Sequence, residues 1–156
     1  MPEPEVHLRF LVDADACPVK AEVVRVAERH GIDVHFVSNA WMRLPDGPLV
    51  HRVVVEAGPD AADDWIAERA GPGDVVVTQD IPLAARALKQ GAKALGGGGK
   101  PFTDASIGMA LALRELSAHL RETGMSQGNN PLFDRKDRSR FLEQLEQMVQ
   151  AEKRGA

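Results

Sequence analysis

Aspartates in three short segments hold the chemistry of this sequence. Asp13 and Asp15 stand in Val12-Asp13-Ala-Asp15-Ala-Cys17-Pro18, Asp60 and Asp63 in Asp60-Ala-Ala-Asp63-Asp64, and Asp80 in Thr78-Gln79-Asp80-Ile81-Pro82. Two carboxylates about 4 Å apart repel by about 4 kcal/mol at the effective dielectric of a protein surface, so a cluster of them needs a cation or a shared proton. Oxygen ligands without His or Cys favour Mg²⁺ or Mn²⁺, which keep several waters and are completed by phosphate oxygens. The reaction class that fits is metal-assisted phosphodiester hydrolysis, in which the ion activates a water and neutralises charge on phosphorus.

Each acid also has a plainer reading. Asp60 follows Pro59 and precedes Asp63 by three residues, which suits a helix N-cap as well as a ligand. Asp80 precedes Ile81-Pro82 and can cap a helix opening with proline. Asp63 shares a helical stripe with Ile66 and Ala70 and so points toward the sheet edge, whereas Asp64 falls on a solvated stripe. Asp13 and Asp15 share one side of an extended segment at the end of an apolar strand. Cys17 reads as a small packed residue at a helix start, a position that can lower a thiol's pKa.

Other chemistries fail on spacing. Six residues after Cys17 stands Val23, where a cysteine phosphatase needs Arg. The glycine run Gly96–Gly99 before Lys100 is not a P-loop, because Ala94 and Pro101 occupy its defining positions. The run reads as a mobile loop, with Lys100 facing phosphate as the sharper alternative. The histidines at 7, 30, 35, 51 and 119 show no paired ligand spacing.

To meet, the aspartates must leave different strands at one edge. Short apolar runs at Val6–Val12, Val34–Ser38, Val50–Glu56, Asp74–Thr78 and Ala92–Leu95 alternate with helical patterns at Pro18–His30, Asp60–Ala70 and Ile81–Gln90. That alternation predicts an α/β fold with a mostly parallel five-stranded sheet, in which loops leaving the strands gather on one side. Helices at Asp104–Thr123 and Asp137–Lys153 follow, joined by a loop over 124–136. The loops after the strands also carry Asn39, Arg43, Thr78 and Lys100.

With 156 residues, 44% hydrophobic and 27% charged, the chain is expected to form one domain over 1–156. No apolar run reaches the roughly 18 residues of a membrane helix and no secretory signal opens the chain, so a cytoplasmic protein without membrane association is expected. The net charge of −4 hides an asymmetry: residues 1–80 balance to −8 and residues 81–156 to +4. Carboxylates in one half and cations in the other suit a metal site facing a phosphate-binding surface, and equally suit ordinary solvated helices. Two Trp, five Phe and no Tyr leave little for a base-stacking platform.

Through the Asp13–Pro18, Asp60–Asp63 and Thr78–Ala84 motifs and Asp137-Arg138…Phe141, nearly the whole chain resembles the YaiI/YqxD family of small bacterial proteins. The resemblance names a relative without naming a reaction. That family's fold is similar to PIN-like nucleases, three-layered and Rossmann-like, which set acidic residues after the first strand, at a middle helix and after the fourth strand around one or two divalent ions. By position this implies Asp13, Asp15, Asp63 and Asp80 as metal-holding catalytic residues with Asp60 as a weaker fifth, Mg²⁺ or Mn²⁺ as cofactor and RNA as partner. Lys20, Asn39, Arg43, Thr78 and Lys100 are the candidate substrate contacts. Relatives often carry an Arg-Gly pair near the glycine run, where this chain has glycine followed by Lys100. Two other functions stay open. Asp13-Ala-Asp15 and Thr78 resemble the first motifs of haloacid-dehalogenase-type phosphatases with Asp13 as nucleophile, although their Gly-Asp-x-x-x-Asp motif is missing. The third is a non-catalytic RNA- or protein-binding module.

Overall fold

The computed structural model describes residues 7–56, 58, 60–122 and 133–155. Five strands, β1 (Arg9–Asp13), β2 (Asp33–Ser38), β3 (Val50–Val54), β4 (Asp74–Val77) and β5 (Lys93–Leu95), form one sheet in the order β3-β2-β1-β4-β5. Every pairing is parallel. The helices are α1 (Lys20–His30), α2 (Ala61–Arg69), α3 (Ile81–Lys89), α4 (Asp104–Glu122) and α5 (Arg135–Gly155).

The two-residue pleat sorts the strand side chains between two cores. Phe10, Val12, Val34, Phe36, Val75 and Val77 face Val23 and Val26 of α1 and Phe141, Leu145 and Val149 of α5. Leu11, Val37 and Val76 face Ala62 and Ile66 of α2 and Leu83 and Ala87 of α3. The result is a three-layer α/β/α sandwich of the Rossmann-like kind, with strands buried on both faces. The helix α4 packs against α3, burying Ile107 with Ala84.

The sequence-predicted boundaries shift where a partner strand runs out. His7 and Leu8 are not in β1, because its neighbours begin at Asp33 and Asp74, both opposite Arg9; Val6 lies outside the described residues. At that end the Arg9 guanidinium donates to both Asp74 oxygens, at 3.0 and 2.8 Å. The third strand stops at Val54, opposite the last residue of β2. The first helix begins at Lys20 rather than Pro18, and Gly31, with φ of 68°, ends it in the left-handed conformation.

The loop expected over 124–136 is shorter than predicted at its far end, since α5 already includes Arg135 and Lys136. A reciprocal cap starts that helix: the Asp137 amide donates to Asp134 Oδ1 and the Asp134 amide to Asp137 Oδ2, both at 3.0 Å. Residues 123–132, which hold the rest of the expected loop, lie outside the described residues.

Candidate metal centre

The sheet reverses its strand order between β1 and β4, and crevices at such a point beyond the strand C-termini are where open α/β sheets bind ligands. Asp13 is the last residue of β1, on the same side as Leu11, and only 7% exposed. Beyond β4, Thr78 follows the parity of Val76 and comes alongside. Its hydroxyl donates to Asp13 Oδ2 at 3.0 Å and accepts from the Asp80 amide at 2.9 Å. Having one proton, the hydroxyl must give it to the carboxylate, so Thr78 fixes Asp13 and the start of α3 together. Asp80 caps α3, with Oδ1 accepting from the Leu83 amide at 2.9 Å. The cap leaves its second carboxylate oxygen for other use.

The pleat also explains which helices supply the remaining acids. Leu11, Asp13 and Val76 face the α2/α3 layer, and Asp63 lies in the first turn of α2, half-buried one turn ahead of the buried Ile66. Burial, and after it the charges of Asp80, Asp13, Asp60 and Asp64, push the Asp63 carboxyl up to about 6. Burial also raises the Asp13 carboxyl, against the Thr78 hydrogen bond and Lys20; Asp15 and Asp80 add to the rise. Asp13, Asp15, Asp60, Asp63 and Asp80 therefore share one electrostatic neighbourhood.

Proximity stops short of a closed cage. Among the described residues no three His, Cys, Asp or Glu side chains are placed to hold one ion as they stand. Asp13 and Asp80 are held by hydrogen bonds, whereas Asp63 is half-buried and Asp60 exposed. The donor set is all oxygen, which fits Mg²⁺ or Mn²⁺ and not a thiolate or imidazole metal.

Several expectations change here. A single 3-10 turn at Ala14–Ala16 breaks the extended segment, so Asp15 does not share a side with Asp13; it is exposed, and its Oδ2 accepts from the Asn39 amide at 2.9 Å. Asn39 thus meets the site through its backbone. Asp60 occupies the N-cap of α2 without a capping hydrogen bond from its side chain. Thr78 is buried, with its hydroxyl engaged on Asp13 and the Asp80 amide. Lys20 folds back to donate to the Cys17 carbonyl at 2.7 Å and is the cation felt by Asp13. Arg43 and Lys100 are exposed. Asp64 is solvated as expected and pairs with Arg86 at 2.8 Å. Cys17 is buried ahead of α1, and desolvation pushes its thiol up to about 11, the reverse of activation.

The glycine run is a packed turn rather than a mobile loop. The Gly96 amide donates to the Lys100 carbonyl at 3.0 Å, and Gly96, Gly97 and Gly99 are buried. A Cβ on Gly99 would stand 2.6 Å from the Arg140 carbonyl carbon and 2.7 Å from the Phe141 amide nitrogen, and its φ is +88°. A Cβ on Gly97 would be 3.1 Å from Gln79 Nε2, beside Asp80. Through this turn the opening of α5 abuts the acidic edge, bringing up Arg138, bonded to the Pro18 carbonyl at 2.9 Å and Glu22 at 3.0 Å, together with Arg140. Sequence reasoning did not name these arginines as part of the site. The available signal was the cationic run Arg135-Lys136-Asp137-Arg138-Ser139-Arg140.

The profile described as "Uncharacterized BCR, YaiI/YqxD family" matches residues 11–151. The chain belongs to the YaiI/YqxD family. A UPF0178 protein of Parvibaculum lavamentivorans is 67% identical over 143 residues, spanning 92% of this chain and 94% of its own. UPF0178 proteins of Rhodospirillum rubrum and Rhizobium meliloti are each 56% identical, over 95% and 92% of this chain and 99% and 98% of theirs. No solved structure matches. The family match spans both the acidic edge and the α5 turns that abut it.

Proposed function

We propose that this chain is a PIN-like, Mg²⁺- or Mn²⁺-dependent nuclease acting on RNA. The observation that carries the reading is that Asp63, half-buried beside the sheet's switch point, feels the charges of Asp80 and Asp13, so that burial first and then those charges hold its carboxyl near 6. A carboxyl held so far above the ordinary carboxylate range at a ligand-binding edge is characteristic of functional sites. In this reading Asp13, Asp15, Asp63 and Asp80 hold the ion, with Asp60 at the rim. The ion would supply an activated water and charge neutralisation at phosphorus. Thr78 keeps the Asp13 carboxylate turned toward the crevice, and Lys20, Lys100 and Arg43 face the phosphates.

The test is a calorimetric Mn²⁺ titration of the wild type and of Asp13→Asn, with a labelled single-stranded RNA cleavage assay alongside. The wild type binds, and the variant binds at least tenfold more weakly, a difference of about 1.4 kcal/mol. Equal affinities would remove Asp13 from the site. Cleavage that survives Asp13→Asn would sink the nuclease assignment. Trapping a phosphate ester on Asp13 would instead establish the phosphatase chemistry, and metal binding without turnover would favour the binding module.

A further inference from the structure

The helix α4 has two apolar faces, and the fold uses one of them. Ile107 is buried against α3, and Ala110 and Ala118, on the same side at helical spacing, are part-buried. On the opposite side Met109, Leu113 and Leu116 are 64%, 54% and 52% exposed. Their spacing of four and then three residues is the apolar seam of a helix pair, and the sequence continues it four residues on at Leu120. A contiguous exposed apolar patch of this kind marks an interaction surface.

We propose that this seam is the dimer interface of the protein, covered by α4 of a second copy about a two-fold axis. The heptad spacing is what another copy of the same helix interdigitates with, since each knob meets a hole made by the identical pattern. The seam is flanked by Ala105, Ala112 and Ser117, small residues that let two helix backbones approach closely. Nineteen residues make a helix about 28 Å long. Pairing two of that length would have to cover about 1,000 Å² in total, the threshold for a specific interface. Chemistry favours a protein over a lipid surface, because an interfacial helix carries several Lys and Arg beside its apolar face, and here α4 has no Lys and the residues next to the seam are mostly Ala and Ser. The seam lies on α4, outside the acidic edge, so the proposal stands or falls separately from the assignment of function.

Light scattering coupled to size exclusion reads the mass of the wild type and of Leu113→Glu/Leu116→Glu at micromolar concentration. The wild type elutes at twice the chain mass; the double variant is monomeric, its dimer dissociation constant raised at least a hundredfold. Because both side chains are exposed in the single chain, the variant keeps its circular dichroism and its Mn²⁺ affinity. Leu116→Cys supplies a second reading, since Cys17 is buried with its thiol pushed up to about 11 and stays unreactive. A short bismaleimide links the Leu116→Cys chains into covalent dimers and leaves the wild type unlinked. A monomeric wild type overturns the proposal, whether the seam then serves a different protein or a lipid surface. A dimer that survives the glutamates, or that the bismaleimide fails to link, also overturns it.

Discussion

Asp63 is the residue at which stability and function pull apart. Its carboxyl sits at about 6 against an ordinary 3.8, so the fold prefers it protonated. A carboxyl raised in the folded state contributes stability that is complete below about 4 and lost as pH rises through about 6. The protein is therefore expected to melt at a higher temperature at pH 5 than at pH 7, and Asp63→Asn to flatten that slope. At pH 7 the same variant should be more stable than the wild type by up to about 1 kcal/mol, the repulsion being screened by solvent. Added Mn²⁺ should reverse the order, because only the wild type gains from the ion. Thr78→Val makes the complementary case: without the hydroxyl that favours the charged form, the Asp13 carboxyl rises further, which a carbon-detected NMR titration would read. A wild-type melting temperature indifferent to pH between 5 and 7 would refute the account of Asp63.

Among the elements, the glycine turn after β5 and the opening of α5 act as one unit. Gly99→Ala puts a methyl carbon within 2.7 Å of Arg140 and Phe141 backbone atoms at a φ of +88°. Both faults lie in backbone that cannot yield without moving α5, so a loss of about 3 kcal/mol is expected, read by chemical denaturation. Sequence patterns located the strands and helices because apolar runs and helical stripes follow the pleat and turn periods. They misplaced boundaries where pairing decides, as at His7 and Leu8, which have no strand beside them. Four glycines in a row read as mobile from the sequence, since their freedom is local information and the helix packed on them arrives some forty residues later. For the same reason the placement of Asp13, Asp63 and Asp80 toward one sheet edge could be argued from the sequence, while the Thr78 bridge and the arginines of α5 could not.

Over the whole molecule, residues 1–80 balance to −8 and residues 81–156 to +4. Exposed Arg135 and Lys136 line a hollow with Arg140, whose backbone touches the glycine turn beside Gln79 and Asp80. If RNA is the substrate, Arg135→Glu/Lys136→Glu should lower the slope of log affinity against log salt by about 2 without changing Mn²⁺ affinity. Fluorescence anisotropy at several salt concentrations measures it, and an unchanged slope would place the RNA elsewhere.

The first of the described strands, β1, sits in the middle of the sheet, and its consequence falls on the ribosome. Once residues 9–54 have emerged, β1, β2 and β3 can pair around α1, but the other flank of β1 waits for β4 and the apolar side of α1 waits for Phe141, Leu145 and Val149 of α5. A nascent chain stalled before residue 135 therefore offers greasy surface to its surroundings and has no finished crevice edge on the α5 side. Residues 135–149 must therefore emerge before the core on the α1 side and the crevice edge beside it can close.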